Sequence, residues 1–113
     1  MAIATPLSAH EVGMRATIEV QAAGGATEVY TETTLPANAR VTSILIQAYY
    51  STGELMSDGS ISIYAPGSPD VPWRTGVLNR EGRYLFTPDL SRRGRWTVRV
   101  ESPGHSNFIN IVI

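Results

Sequence analysis

Apolar and polar residues alternate along most of this chain with a period of two, and the alternation breaks wherever Gly, Pro, Asn or Asp cluster. Successive Cβ atoms leave a strand on opposite faces, so this period predicts strands with one face buried. Met14, Ala16, Ile18 and Val20 point one way, while Arg15, Thr17, Glu19 and Gln21 point the other. Ala23-Gly24-Gly25-Ala26 then supplies a turn, because glycine reaches positive φ at little cost. Thr27–Leu35, rich in Thr, Val and Tyr, predicts a second, half-exposed strand. Val41–Tyr50 is the most apolar segment, with Ile44, Ile46 and Ala48 on one face and Leu45 and Tyr49 on the other, which predicts a central strand covered on both sides.

Ile61 and Ile63 alternate with serines over Ser60–Ala65, and the three prolines of Pro66–Trp73 dictate an irregular connection. Thr75–Leu78 and Arg83–Thr87 flank Asn79-Arg80-Glu81-Gly82, a hairpin turn with Gly82 in the left-handed position. Trp96, Val98 and Val100 alternate with Arg95, Thr97, Arg99 and Glu101, and Asn107–Ile113 forms a closing strand. No segment sustains helical periodicity. These elements predict an all-β, antiparallel β-sandwich of about seven strands. Its core is expected to hold Ile18, Val20, Ile44, Ile46, Ile61, Ile63, Tyr84, Phe86, Trp96 and Val98.

A length of 113 residues fits a single domain, assigned to 11–113, preceded by a flexible segment at 1–10. Ala2–Ala9 is small, apolar and uncharged, like the tail of a trimmed secretion signal, which makes an extracytoplasmic location the expectation. There is no apolar run of the length a membrane-spanning helix needs. The absence of cysteine excludes disulfides, thiol catalysis and thiolate metal sites.

The net charge of −1 argues against binding a phosphate backbone, and no nucleic-acid partner is expected. The charge is unevenly spread. Residues 1–70 hold two arginines against seven acids, whereas 71–113 hold seven arginines against three acids. Arg92, Arg93, Arg95 and Arg99 cluster near one corner and form a candidate surface for an anionic protein partner; a plain solvated face is the alternative. Trp73 either extends that surface or belongs to the core.

Catalytic chemistry has little to work with. His10 and His105 are the two imidazoles, and the serines beside His105 (Ser102 and Ser106) lie on an extended chain with no acid placed to orient the ring. Asp58, Asp70 and Asp89 each adjoin Gly or Pro, as turn residues do. The protein is therefore not expected to be an enzyme, and no organic cofactor is implied. Imidazole suits nickel, cobalt and copper, so His10 and His105 are the candidate metal ligands. A free amine at a processed terminus near His10 would strengthen that site.

Ala48-Tyr49-Tyr50, Ile61-Ser62-Ile63-Tyr64, Gly76, Asn79–Phe86, Gly94–Val100 and Pro103-Gly104-His105 together resemble the transthyretin-like domains known as carboxypeptidase-regulatory-like, whose sandwich is broadly immunoglobulin-like. Ile63-Tyr64-Ala65-Pro66, Pro72-Trp73, Phe86-Thr87-Pro88-Asp89 and Gly104-His105 resemble extracytoplasmic accessory components of energy-coupling nickel/cobalt transporters. Leu78-Asn79 departs from the Thr-Asp common at that turn in the wider group. The resemblance implies a non-enzymatic interaction domain of a metal-uptake system, docking on membrane transporter subunits. The other expectation is a structural or adhesive module that pairs with copies of itself through the strand Phe108–Ile113.

Overall fold

The computed structural model describes residues 11–113; the segment 1–10, with its expected flexibility, its secretion-signal character and His10, lies outside the described residues. Eight strands form: β1 (Val12–Gln21), β2 (Thr27–Tyr30), β3 (Val41–Tyr50), β4 (Ser60–Tyr64), β5 (Arg74–Val77), β6 (Arg83–Phe86), β7 (Arg95–Ser102) and β8 (His105–Val112). They pair antiparallel into two four-stranded sheets, β2-β1-β3-β6 and β5-β4-β7-β8, packed as a sandwich. The count is eight rather than about seven: all eight alternating segments pair, the four-residue β2, β5 and β6 included.

The inward faces are those the alternation selects. Ile18, Ile44, Ile46, Ile63, Trp96 and Val98 are fully buried, with Ile61, Val20 and Phe86 nearly so. Tyr84 is only half-buried, because its ring lies over Gly76 at the edge where β5 and β6 turn from one sheet to the other. No charged side chain among the described residues is buried, and the core is apolar packing apart from the indole N–H of Trp96, which has a backbone acceptor.

Two local departures have physical causes. The register between β1 and β3 shifts at Glu19/Val20, so that Val20 pairs with Val41 and both face inward; Thr42 occupies the bulge and donates its hydroxyl to the Glu19 carbonyl at 3.2 Å. The expected long second strand stops at Tyr30. There the Thr31 N–H donates to the Thr34 hydroxyl (2.9 Å) and the Leu35 N–H to the Thr31 carbonyl (3.1 Å), a turn that takes the backbone groups a strand would have used. β3 is central in its sheet, but its outer face is not covered by a further layer. Leu45 and Tyr49 are half-buried there by lateral neighbours, with Leu85 beside Leu45 largely exposed.

The sheet edges are treated unequally. Beyond β2, the Ala16 N–H of β1 donates to the Glu32 carboxylate (3.3 Å), and the Val12 carbonyl accepts from the Asn107 carboxamide (2.7 Å). β8 pairs with β7 over its whole length, and Gly94 and Ile113 extend the ladder with a reciprocal pair of bonds at 2.8 and 2.9 Å. That pairing directs the odd-numbered main-chain groups of β8 toward β7 and the even-numbered ones outward.

Gly82 has φ 71°, and its carbonyl accepts the Ala48 N–H at 2.8 Å, tying the hairpin turn to β3. A Cβ at this position would sit 2.5 Å from the Ala48 carbonyl oxygen and 2.9 Å from the Met56 nitrogen. Gly104 has a similar φ of 77° but faces open space. Gly104→Ala is therefore expected to cost about 1–2 kcal/mol, the strain of left-handed backbone alone. Gly82→Ala should cost clearly more, because backbone atoms must also move. Urea unfolding of the two variants checks this, and equal losses would contradict it.

Candidate functional site

The exposed face of the β5-β4-β7-β8 sheet carries the side chains that leave β4, β7 and β8 in the opposite direction from Ile63, Val98 and Ile111. Strand register puts Tyr64 beside Thr97 and Thr97 beside Asn110 in one row. The next rows set Ser62 beside Arg99 and Arg99 beside Phe108, and Arg95 beside Val112. Tyr64, Pro69, Thr97, Arg99 and Phe108 line a depression of about 390 Å³. It adjoins a second of about 510 Å³ that adds Arg95, Asn110 and residues 65–67. Together they form a groove whose floor is β7, with Phe108 as one wall and Tyr64 with the proline-rich connection as the other.

That connection is held in place by several bonds. The Trp73 N–H donates to the Ile63 carbonyl (2.7 Å), and the Ser68 N–H to the Ala65 carbonyl (3.2 Å). Arg92 reaches across from the corner before β7 and donates to the Pro66 carbonyl (3.3 Å) and the Ser68 hydroxyl (3.4 Å). The corner is itself set by Asp89, whose carboxylate accepts from the Ser91 hydroxyl (2.7 Å) and the Ser91 N–H (3.0 Å). These two bonds, in that order, hold the Asp89 carboxyl below its ordinary value, with a smaller contribution from the nearby Arg92 charge.

The four arginines singled out in the sequence thus separate. Arg92 ties the proline-rich connection, and Arg93 donates to the Ala39 carbonyl (2.9 Å) on the other sheet's side. Arg95 and Arg99 line the groove. Arg99 stands 3.6 Å from Glu101, whereas the Arg95 guanidinium makes no ion pair or hydrogen bond among the described residues. Thr97 donates its hydroxyl to Asn110 Oδ1 at 2.7 Å, which leaves the Asn110 NH2 group directed away from Thr97.

His105 lies at the opposite end of the sheet. Its ring meets Tyr50 edge-on at 5.2 Å, and the Tyr50 hydroxyl bonds the Ser102 hydroxyl at 2.8 Å. Among the described residues no three His, Cys, Asp or Glu side chains come together as a metal site, and His10 lies outside that range. Trp73 belongs with the core: it packs edge-on against Trp96 (5.0 Å) and tilted on Phe86 (6.3 Å), with the Arg74 guanidinium 4.5 Å over its ring. Tyr64 and Phe108 entered the sequence analysis only within longer segments, not as groove residues. Their signal was parity, since each stands one residue from an inward isoleucine.

No protein-family model, curated protein or solved structure matches this chain.

Because the Asp89 carboxyl is held low in the folded state, the bonds of this corner contribute fully above the ordinary carboxylate range. They are lost as pH falls through the depressed value. Asp89→Asn should therefore be less stable than the parent at neutral pH, and the difference should close on acidification. Urea unfolding at stepped pH measures it; a difference that persists unchanged into acid would contradict the assignment.

Proposed function

We propose that this domain is a non-catalytic interaction module that assembles with a second copy of itself by strand addition along β8. The observation that carries the reading is the free edge of β8. Among the described residues its outward N–H and C=O groups at Asn110 and Val112 have no strand opposite them, and Phe108 (52% exposed) and Val112 (61% exposed) stand beside them. An unpaired edge of this length is a template for another strand.

Register favours a second copy as the occupant. An antiparallel two-fold centred on Asn110 sets Phe108 opposite Val112 on the outer face and Ile109 opposite Ile111 on the inner one, twice over by symmetry. Asn110 then faces its own counterpart, and each Val112 N–H reaches the other copy's Phe108 carbonyl. The Asn107 carboxamide, which accepts the Phe108 N–H at 2.8 Å, closes the start of the edge and limits pairing to its C-terminal half. An interface this short falls below the area of a stable protein complex, about 1,200–2,000 Å², so the association is weak and concentration-dependent. The transporter-docking reading uses the same edge against a different chain and leaves the isolated domain monomeric.

Light scattering across a concentration series tests the proposal, with Val112→Pro as the variant. Val112 directs its N–H away from β7, so proline there removes an outward donor and no bond of the ladder. The parent is expected to form dimers as concentration rises, and Val112→Pro to stay monomeric with its unfolding midpoint little changed. A parent that remains monomeric throughout, or a variant that dimerises equally well, would overturn self-assembly through β8.

A further inference from the structure

We infer that the groove over β7 binds an acidic sugar, with a carboxylate-bearing pyranose seated between Tyr64 and Phe108. This inference does not depend on pairing through β8. Three features of the groove point to that ligand chemistry. First, its two walls carry the aromatic rings of Tyr64 and Phe108, and the C–H faces of a pyranose stack on such rings. Second, the hydrogen-bonding groups are already oriented: Thr97 occupies Asn110 Oδ1, so the Asn110 NH2 donors and the Thr97 oxygen lone pairs are available to sugar hydroxyls. Third, the cationic character is limited. Arg95 carries a guanidinium with no partner among the described residues, while Glu101 offsets Arg99 at 3.6 Å.

One uncompensated guanidinium suits one carboxylate and gives it a two-pronged donor. A polyphosphate or nucleic-acid strand needs a continuous basic track, which this groove and a chain of net charge −1 do not provide. The groove is also formed before any ligand arrives. Arg92 and the Trp73 N–H fix the proline-rich wall, and the ladder of β4, β7 and β8 fixes the floor. Volumes of about 390 and 510 Å³ lie within the range of small-molecule clefts, so a short saccharide fits without opening the fold.

The test is a titration of the full chain with trigalacturonate, followed by backbone amide resonances. The neutral galactose trisaccharide and a short oligothymidylate serve as comparison probes. Trigalacturonate should shift Tyr64, Thr97, Arg99, Phe108 and Asn110 saturably. Arg95→Gln should weaken binding about tenfold or more, the loss expected for a charge-assisted hydrogen bond, and Phe108→Ser should weaken it by removing a stacking wall. Val112→Pro should bind as the parent does, which keeps a failure of the β8 proposal separate from a failure of this one. The inference is overturned if trigalacturonate causes no saturable shift, if the shifts fall elsewhere, or if Arg95→Gln or the neutral trisaccharide binds equally well. Tighter binding of oligothymidylate in the same groove would also overturn it and assign a nucleic-acid ligand instead.

Discussion

The indole of Trp96 joins the parts of this fold that would otherwise be independent. It is fully buried between the sheets, and its N–H donates to the Arg92 carbonyl at 2.9 Å. A buried indole needs such an acceptor, so the ring can occupy the core only while the corner before β7 holds its shape. Trp73 stacks edge-on against it and reaches Phe86 in the other sheet. That contact brings the proline-rich connection onto the end of the sandwich, where Arg92 can bond it. The wall of the groove, the start of β7 and hence the position of β8 all follow from where this ring sits.

Much of this was legible in the chain because burial imposes a period on a strand. The ten expected core positions fall inward, Tyr84 only partly, since a ring that covers Gly76 at a sheet edge keeps one side in water. What alternation could not reveal depends on contacts distant in sequence. Val41 lies an odd number of residues from Ile44, yet both are buried because β3 bulges at Thr42, where a hydroxyl finds the Glu19 carbonyl. The threonines at 31–34 satisfy one another and end a strand that β propensity alone would prolong. The arginine group divided for a similar reason. Proximity in sequence could not show that Arg92 and Arg93 bond loops of different sheets while Arg95 and Arg99 share a face.

The edge at β8 stands out by contrast with the protected edges. Exposed main-chain donors and acceptors invite another strand, and natural sheets block them with charged groups, side-chain caps or short strands. Glu32 and Asn107 do this for β1, while β2, β5 and β6 are only four residues long. β8 is eight residues long, and beyond Asn107 its edge carries no such cap among the described residues. Alongside it runs the groove with its uncommitted Arg95. Both features lie on the same sheet, one formed by backbone groups and the other by side chains.

Self-assembly of the proposed kind requires the outward groups of β8 to be unpaired in the single chain and paired in a dimer. Amide hydrogen exchange, followed residue by residue at low and high protein concentration, reads this directly. In dilute solution Ile109 and Ile111, whose N–H groups bond β7, should exchange slowly, whereas Asn110 and Val112 should exchange fast. Raising the concentration should slow Asn110 and Val112 and leave the amides of β2 and β6 unchanged. Uniform protection along β8 in dilute solution, or fast exchange at Asn110 and Val112 that concentration does not alter, would contradict the central claim.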